Sequence, residues 1–199
     1  MSLQFIPTLA ANIILELVFP VTNTFVFRNV HTPLNSCSDR LHHLRKQTGL
    51  VWRRKQGKNA PIFQSRIENT KIMEILLLLA ERTWACAEQL SRENSTNEAH
   101  KTQHALARYK KAELHARRLR DACAVSADPE TLTEARAYFD WIAGNLALKV
   151  NNWRLALCNF LYIRVFLQLL GNVGSSSHRA FLMRMFQDVD QKIQYFVMN

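Results

Sequence analysis

The sequence predicts an all-α protein, an antiparallel helical bundle of tetratricopeptide-like helix pairs, and three observations carry that expectation. Apolar residues make up 48% of the 199, with only five Gly and five Pro, a balance that suits long helices and disfavours a disordered or collagen-like chain. From residue 67 onward, apolar side chains recur at intervals of three and four, the period of an amphipathic helix. No segment alternates apolar and polar residues for long enough to read as a strand. The length fits a domain plus an appendage, divided here into residues 1–36 and a helical domain over 37–199.

Taken in order, the appendage opens with an apolar run, Leu9–Phe19, broken by Asn12 and Glu16 and bounded by Pro7 and Pro20. A membrane span needs ~20 apolar residues, and a secretory signal needs a basic start that is missing here. The run reads as a short helix laid on the domain, with weak membrane targeting as its alternative; Val21–Asn35 reads as an extended connector. A short helix is expected over Asp39–Thr48, capped by Ser36 or Ser38, because a hydroxyl can satisfy a free N-terminal amide. Leu41 and Leu44, three apart, would anchor it, and Gly49 would end it. Leu50–Ser65 has no clean period and contains Gly57, Asn59 and Pro61, which indicate a loop.

Five longer helices follow. Ile67–Arg92 carries Ile72, Ile75, Leu76, Leu79, Thr83, Cys86 and Leu90 on one stripe, widened by Leu77, Leu78 and Trp84. Glu98–Ala124 has a narrow seam of Leu106, Tyr109, Ala112, Ala116, Leu119 and Cys123. Its outer face is crowded with Lys101, Arg108, Lys110, Lys111, Arg117 and Arg118. Asp128-Pro129 restarts the chain, since Asp caps well and Pro suits the first helical position, and that helix runs to about Val150. Asn151-Asn152 makes a tight turn. Trp153–Leu170 is apolar almost all round, which predicts a buried central helix. After the break at Gly171–Ser176, Ser177–Val197 is amphipathic, with Phe181, Met185, Val189, Ile193 and Phe196 inside. Gly144, Trp153, Ala156 and Phe160 have the small-against-aromatic pattern of a tetratricopeptide-like helix pair.

The formal net charge of +10 points to a polyanionic partner, and its distribution says more than its size. Residues 28–66 hold nine Lys or Arg against one acid, Asp39, whereas residues 67–140 balance eleven bases against twelve acids. A uniformly basic, solubilising surface would not concentrate its excess in one early segment. The candidate anion-binding residues there are Arg40, His42, His43, Arg45 and Lys46 on the short helix, and Trp52, Arg53, Arg54, Lys55 and Lys58 in the loop. Closely spaced bases release counterions from a phosphate backbone, and Trp52 supplies a flat surface on which a base can stack. Lys110 and Lys111 extend the candidate footprint, although acids nearby allow an ordinary exposed face of i,i+4 pairs. The plain alternative for Arg53–Lys55 is a solvated surface or a nuclear-import signal.

Catalytic and metal readings find little support. The cysteines at 37, 86, 123 and 158 contain no CxxC pair and read as reduced thiols, three of them packed as small apolar residues in helices. Cys37 with His42-His43 lacks a fourth ligand at usable spacing, so no metal or cofactor is expected. There is no Gly-rich phosphate loop, GxSxG or HExxH, and Glu81 beside Trp84 reads as a satisfied helix residue rather than a catalytic carboxylate.

Four stretches in order resemble a known family: CSDRLHHLRKQ at Cys37–Gln47, ERTWACAEQL at Glu81–Leu90, LARYKKAELHARRLRDAC at Leu106–Cys123, and EARAYFDWIAGNLALKVNNWRLALCNF at Glu134–Phe160. They are similar to the N-terminal RNA-binding domain of the sixty-eight-kilodalton subunit of the signal recognition particle. The resemblance implies a non-catalytic, helical domain that binds and remodels the S domain of the particle RNA through an arginine-rich helix, here Cys37–Gln47. Arg40, Arg45 and Lys46 match basic positions of that motif; His42 and His43 stand where arginines are usual, and Asp39 replaces a base. It further implies a cytoplasmic protein with a nuclear or nucleolar assembly stage, an indirect association with the endoplasmic reticulum membrane, and other particle proteins as partners. The seventy-two-kilodalton subunit belongs among those partners only if a longer chain exists. The rival expectation is a protein-interaction scaffold with an apolar groove near Tyr138, Trp141 and Trp153.

Overall fold

The computed structural model describes residues 34–48, 70–94, 98–170 and 176–198, all but a few of them in helices. The six helices are α1 Leu34–Thr48, α2 Thr70–Glu93, α3 Ala99–Ser126, α4 Pro129–Lys149, α5 Trp153–Leu170 and α6 Ser176–Met198. Each packs mainly on its neighbours in the chain, so the order along the sequence is also the order through the stack. Of the appendage expected over 1–36, residues 1–33 lie outside the described residues, as does the loop expected over Leu50–Ser65, while residues 34–36 belong to α1 and not to an extended connector.

The helix expected over Asp39–Thr48 starts earlier, at Leu34, which places Ser36 and Ser38 inside it rather than at its cap. The reason is packing. Cys37 is fully buried with Leu41 and Leu44 against Ile75, Leu78 and Leu79 of α2, so the apolar stripe begins a turn before the sequence suggests. Arg45 and Lys46 fall in the last turn, where cations suit the negative end of the dipole. Arg40 adds an ion pair to Glu74 across the same contact.

The element buried on most sides is α2, not α5. Ile72, Met73, Leu76, Leu77, Ala80, Trp84 and Ala87 face the main core, while Ile75 and Leu78 face α1. Leu79, Cys86 and Leu90 of its expected stripe are only half-buried. Helix α3 can lie close to α2 because its seam is built largely of alanines, Ala105, Ala112, Ala116 and Ala122, with Tyr109 and Leu119 fully inside. Tyr109 donates to Glu88 at 2.8 Å and meets the Trp84 ring edge-on at 4.8 Å. Glu81, buried, accepts a 2.6 Å hydrogen bond from the fully buried Tyr138 hydroxyl, which fits its reading as a satisfied helix residue.

The second half of the stack follows its sequence signals closely. Asp128 caps α4, accepting from the Thr131 amide at 2.9 Å, with Pro129 at the first helical position. At the other end Asn151 takes φ 58°, and the amides of Asn151 and Asn152 reach back to Leu148 and Ala147. That paired closure tolerates a left-handed residue, which Asn adopts more easily than most. A Cβ on Gly144 would come within 3.2 Å of the fully buried Phe160 ring, so the glycine lets α4 and α5 approach.

One expectation fails for α5. Its apolar residues do circle the helix, but among its described side chains only Ala156, Phe160, Ile163, Phe166 and Leu167 are buried. Trp153, Leu155, Leu161, Tyr162 and Val165 are exposed, Val165 to 56%, and Cys158 is exposed with them. A helix near the end of a linear stack has neighbours on two sides only, so apolar content alone does not make it central. In α6, Met185 and Val189 are buried and Ile193 and Phe196 partly so, as expected. Among the described residues no helix is long and apolar enough to cross a membrane.

Candidate nucleic-acid interface

The stacking of α1 on α2 and of α2 on α3 brings cations from three helices to one place. Arg45 projects from the last turn of α1, half-buried, and the guanidinium of Arg82 on α2 lies close enough to repel it. Burial first, then that repulsion, lowers the Arg45 pKa, though the group stays charged at any ordinary pH. From α3 come Lys111 and Arg118, seven residues apart and therefore on one face. His115 lies between them on that face, only 7% exposed.

His115 is the electrostatic centre of this group. Desolvation, followed by the fields of Lys111, Arg118, Arg82 and Arg45, holds its imidazole down at a pKa of about 4. Among the described residues, every charged group acting on the ring is a cation. Both ring nitrogens are buried, and neither has a hydrogen-bond partner among the described residues. Natural interiors seldom leave a polar ring in that state, because an unmatched buried donor or acceptor costs about 1–3 kcal/mol.

Ion pairing separates the remaining bases into two classes. Arg40 is committed to Glu74, Lys101 to Glu98 at 2.8 Å, Arg117 to Glu113 at 2.6 Å and Arg120 to Asp121 at 2.7 Å. Arg45, Lys46, Arg82, Lys110 and Lys111 have no such acid among the described residues. His42 and His43 are exposed, with the His43 ring 2.7 Å from the Gln47 amide nitrogen. Cys37 is buried against α2, so it does not converge with those histidines. Of the candidate residues, Arg45 and Lys111 come together around His115, Lys46 is exposed on the same last turn as Arg45, and Arg40 is turned to anchoring α1. Lys110 is exposed but is not among the charges acting on His115. Trp52, Arg53, Arg54, Lys55 and Lys58 lie outside the described residues.

Sequence reasoning missed Arg82, His115 and Arg118 as site residues, placing Arg118 only on the basic outer face of α3. Arg82 sits within the apolar stripe of α2 and looks like an isolated surface base until α1 and α3 flank it. His115 had a weak signal, the spacing Arg108, Lys111, His115, Arg118, which lays three bases and an imidazole along one helical face.

The rival groove exists only in part. Tyr138 and Trp141 are core residues. Trp153, 47% exposed, instead lines an open cleft of about 370 Å³ with Leu148, Asp188, Lys192, Tyr195 and Phe196.

Comparison with known proteins agrees with the helical architecture. The sequence model of the family described as RNA-binding signal recognition particle 68 matches residues 33–197. Signal recognition particle subunit SRP68 of Dictyostelium discoideum is 25% identical over 169 residues, covering 82% of this chain and 28% of that protein. The Drosophila melanogaster subunit of the same name is 34% identical over 87 residues, 43% of this chain and 14% of its own length. The chain thus spans less than a third of either relative. Among solved structures, the SRP68-RBD from Chaetomium thermophilum superposes with a TM-score of 0.70 at 24% identity, covering 83% of this chain and 79% of that one.

Proposed function

This chain belongs to the RNA-binding signal recognition particle 68 family, and we propose from that premise that it binds the particle RNA through the cationic face shared by α1, α2 and α3. The observation that carries the reading is the convergence of Arg45, Arg82, Lys111 and Arg118 on one buried imidazole on which, among the described residues, no acid acts. Bringing like charges together costs energy in the free protein, and a phosphate backbone is the partner that reverses the sign. Lys46, next to Arg45, and the exposed His42 and His43 on the same helix would extend the contact. In this reading α1 is the basic helix that enters the RNA, bending or opening the S domain, while α2 to α6 hold it rigid. The protein then acts without catalysis, in the cytoplasm, as one subunit of a particle that targets ribosomes to the endoplasmic reticulum. The loop bases Arg53, Arg54, Lys55 and Lys58, with Trp52, would add backbone and stacking contacts, and partnership with the seventy-two-kilodalton subunit would need further chain.

The test is a titration of S-domain RNA at several salt concentrations. Log affinity should fall linearly with log salt, by about 0.9 per phosphate contacted. Replacing Arg45, Arg82, Lys111 and Arg118 with Ala should flatten that slope by about three to four and leave helix content unchanged. A quadruple variant with the wild-type slope would show that the RNA lies elsewhere.

A second reading has one observation in its favour, the cleft at Trp153, Tyr195 and Phe196, which offers aromatic surface to a peptide as helix-pair scaffolds do. It predicts a partner captured with little dependence on salt and lost on Trp153→Ala.

A further inference from the structure

His115 is buried and unpartnered at the point where four cations from three helices meet. A structural histidine would find a carbonyl or a carboxylate for its N–H, and this one finds neither among the described residues. The cations acting on the ring are long side chains, Arg45 and Arg82 half-buried and Lys111 and Arg118 exposed. Among the described residues, nothing accepts a hydrogen bond from the ring. Resting on the RNA-binding reading, we propose that a backbone phosphate of the RNA seats among Arg45, Arg82, Lys111 and Arg118 over His115, and that His115 takes up one proton from solution as it does so.

The sign follows from linkage. In the free protein burial and the four cations keep the ring neutral down to about pH 4. A phosphate in the cluster reverses the electrostatic part of that penalty and accepts a hydrogen bond from the charged ring, so the bound imidazole titrates higher than the free one. Binding then tightens as pH falls below the bound value, by at most tenfold per pH unit for one proton. Over pH 7.5 to 5.5 a gain of about three- to tenfold is expected. Other groups need separating by controls: the imidazoles of His42 and His43, exposed on α1, and Asp140 on α4, whose burial raises its carboxyl to about 6 against the pull of Arg120 and Arg136.

The experiment is a titration of the full chain with transcribed S-domain RNA at fixed salt from pH 7.5 to 5.5. It compares wild type with His115→Phe, His115→Asn, the His42→Gln/His43→Gln double variant and Asp140→Asn. The pH-dependent gain should disappear in both His115 variants and persist in the other two, with the salt slope retained throughout. A gain that survives in both His115 variants, or is abolished by the His42/His43 variant alone, overturns the proposal and leaves RNA binding standing. Absence of salt-dependent binding by wild type at every pH overturns the RNA reading and this inference with it. If the His115 variants lose helix content, the imidazole resonance of His115 in wild type decides instead. Its midpoint should move from near 4 to above about 6 on adding RNA, and an unmoved midpoint refutes proton uptake.

Discussion

His115 and Asp140 pull the acid stability of the fold in opposite directions. The His115 pKa is depressed to about 4 from its ordinary 6.5, so its contribution is complete above pH 6.5 and is lost as pH falls through 4. The full loss is about 3 kcal/mol, at 1.36 kcal/mol per pH unit of displacement. Asp140 behaves inversely. Its carboxyl is raised to about 6, so its favourable contribution is complete below its ordinary 3.8 and is lost as pH rises through 6. Because Asp140 is only half-buried, solvent screening reduces its effect to about 1 kcal/mol. Two outcomes are expected from urea unfolding. His115→Phe should remain more stable than wild type at pH 4 relative to pH 7, and Asp140→Asn should gain about 1 kcal/mol at pH 7 and nothing near pH 4. Neither residue announces itself in the sequence, because a displaced pKa depends on what other helices place beside it.

At the scale of the element, α1 is the one whose position decides the site. It is held by Cys37, Leu41 and Leu44 on Ile75 and Leu78, with Arg40 paired to Glu74. Truncating a buried leucine typically costs about 2–5 kcal/mol, much of what so small a contact can supply. Leu41→Ala should therefore raise hydrogen exchange along α1 while α2 to α5 stay protected, and should weaken RNA binding although no charge has been removed. The apolar anchors Leu41 and Leu44 were legible from their spacing. The helix start was not, since Ser36 and Ser38 are good caps locally, and only the burial of Cys37 against α2 makes an earlier start worthwhile.

For the whole molecule, the formal charge of +10 overstates what is available to a partner. Much of the outer face of α3 is neutralised within the helix or beside it, as Lys101–Glu98 and Arg117–Glu113 show. Lys101→Ala and Arg117→Ala should each lower RNA affinity less than Lys111→Ala, and only the last should reduce the salt slope by about one. Equal effects from all three in a filter-binding series would mean that charge density, rather than the cluster around His115, governs binding. The exposed apolar flank of α5 is likewise a whole-molecule property: among the described helices α5 packs mainly on α4 and α6, and Leu155, Tyr162 and Val165 stay exposed.

What the sequence determined by itself was local. The capped start of α4 at Asp128-Pro129, the turn at Asn151-Asn152, the alanine seam of α3 and the concentration of charge before residue 67 each follow from residues close together in the chain, where propensity and period act directly. The tertiary structure alone decided which helix is central and which bases act together. Burial depends on how many neighbours an element has, which gave α2 the core position that α5 seemed suited to. Electrostatic coupling depends on distance in space, which joined Arg45, Arg82, Lys111, His115 and Arg118 from three helices and turned Arg40 away to Glu74.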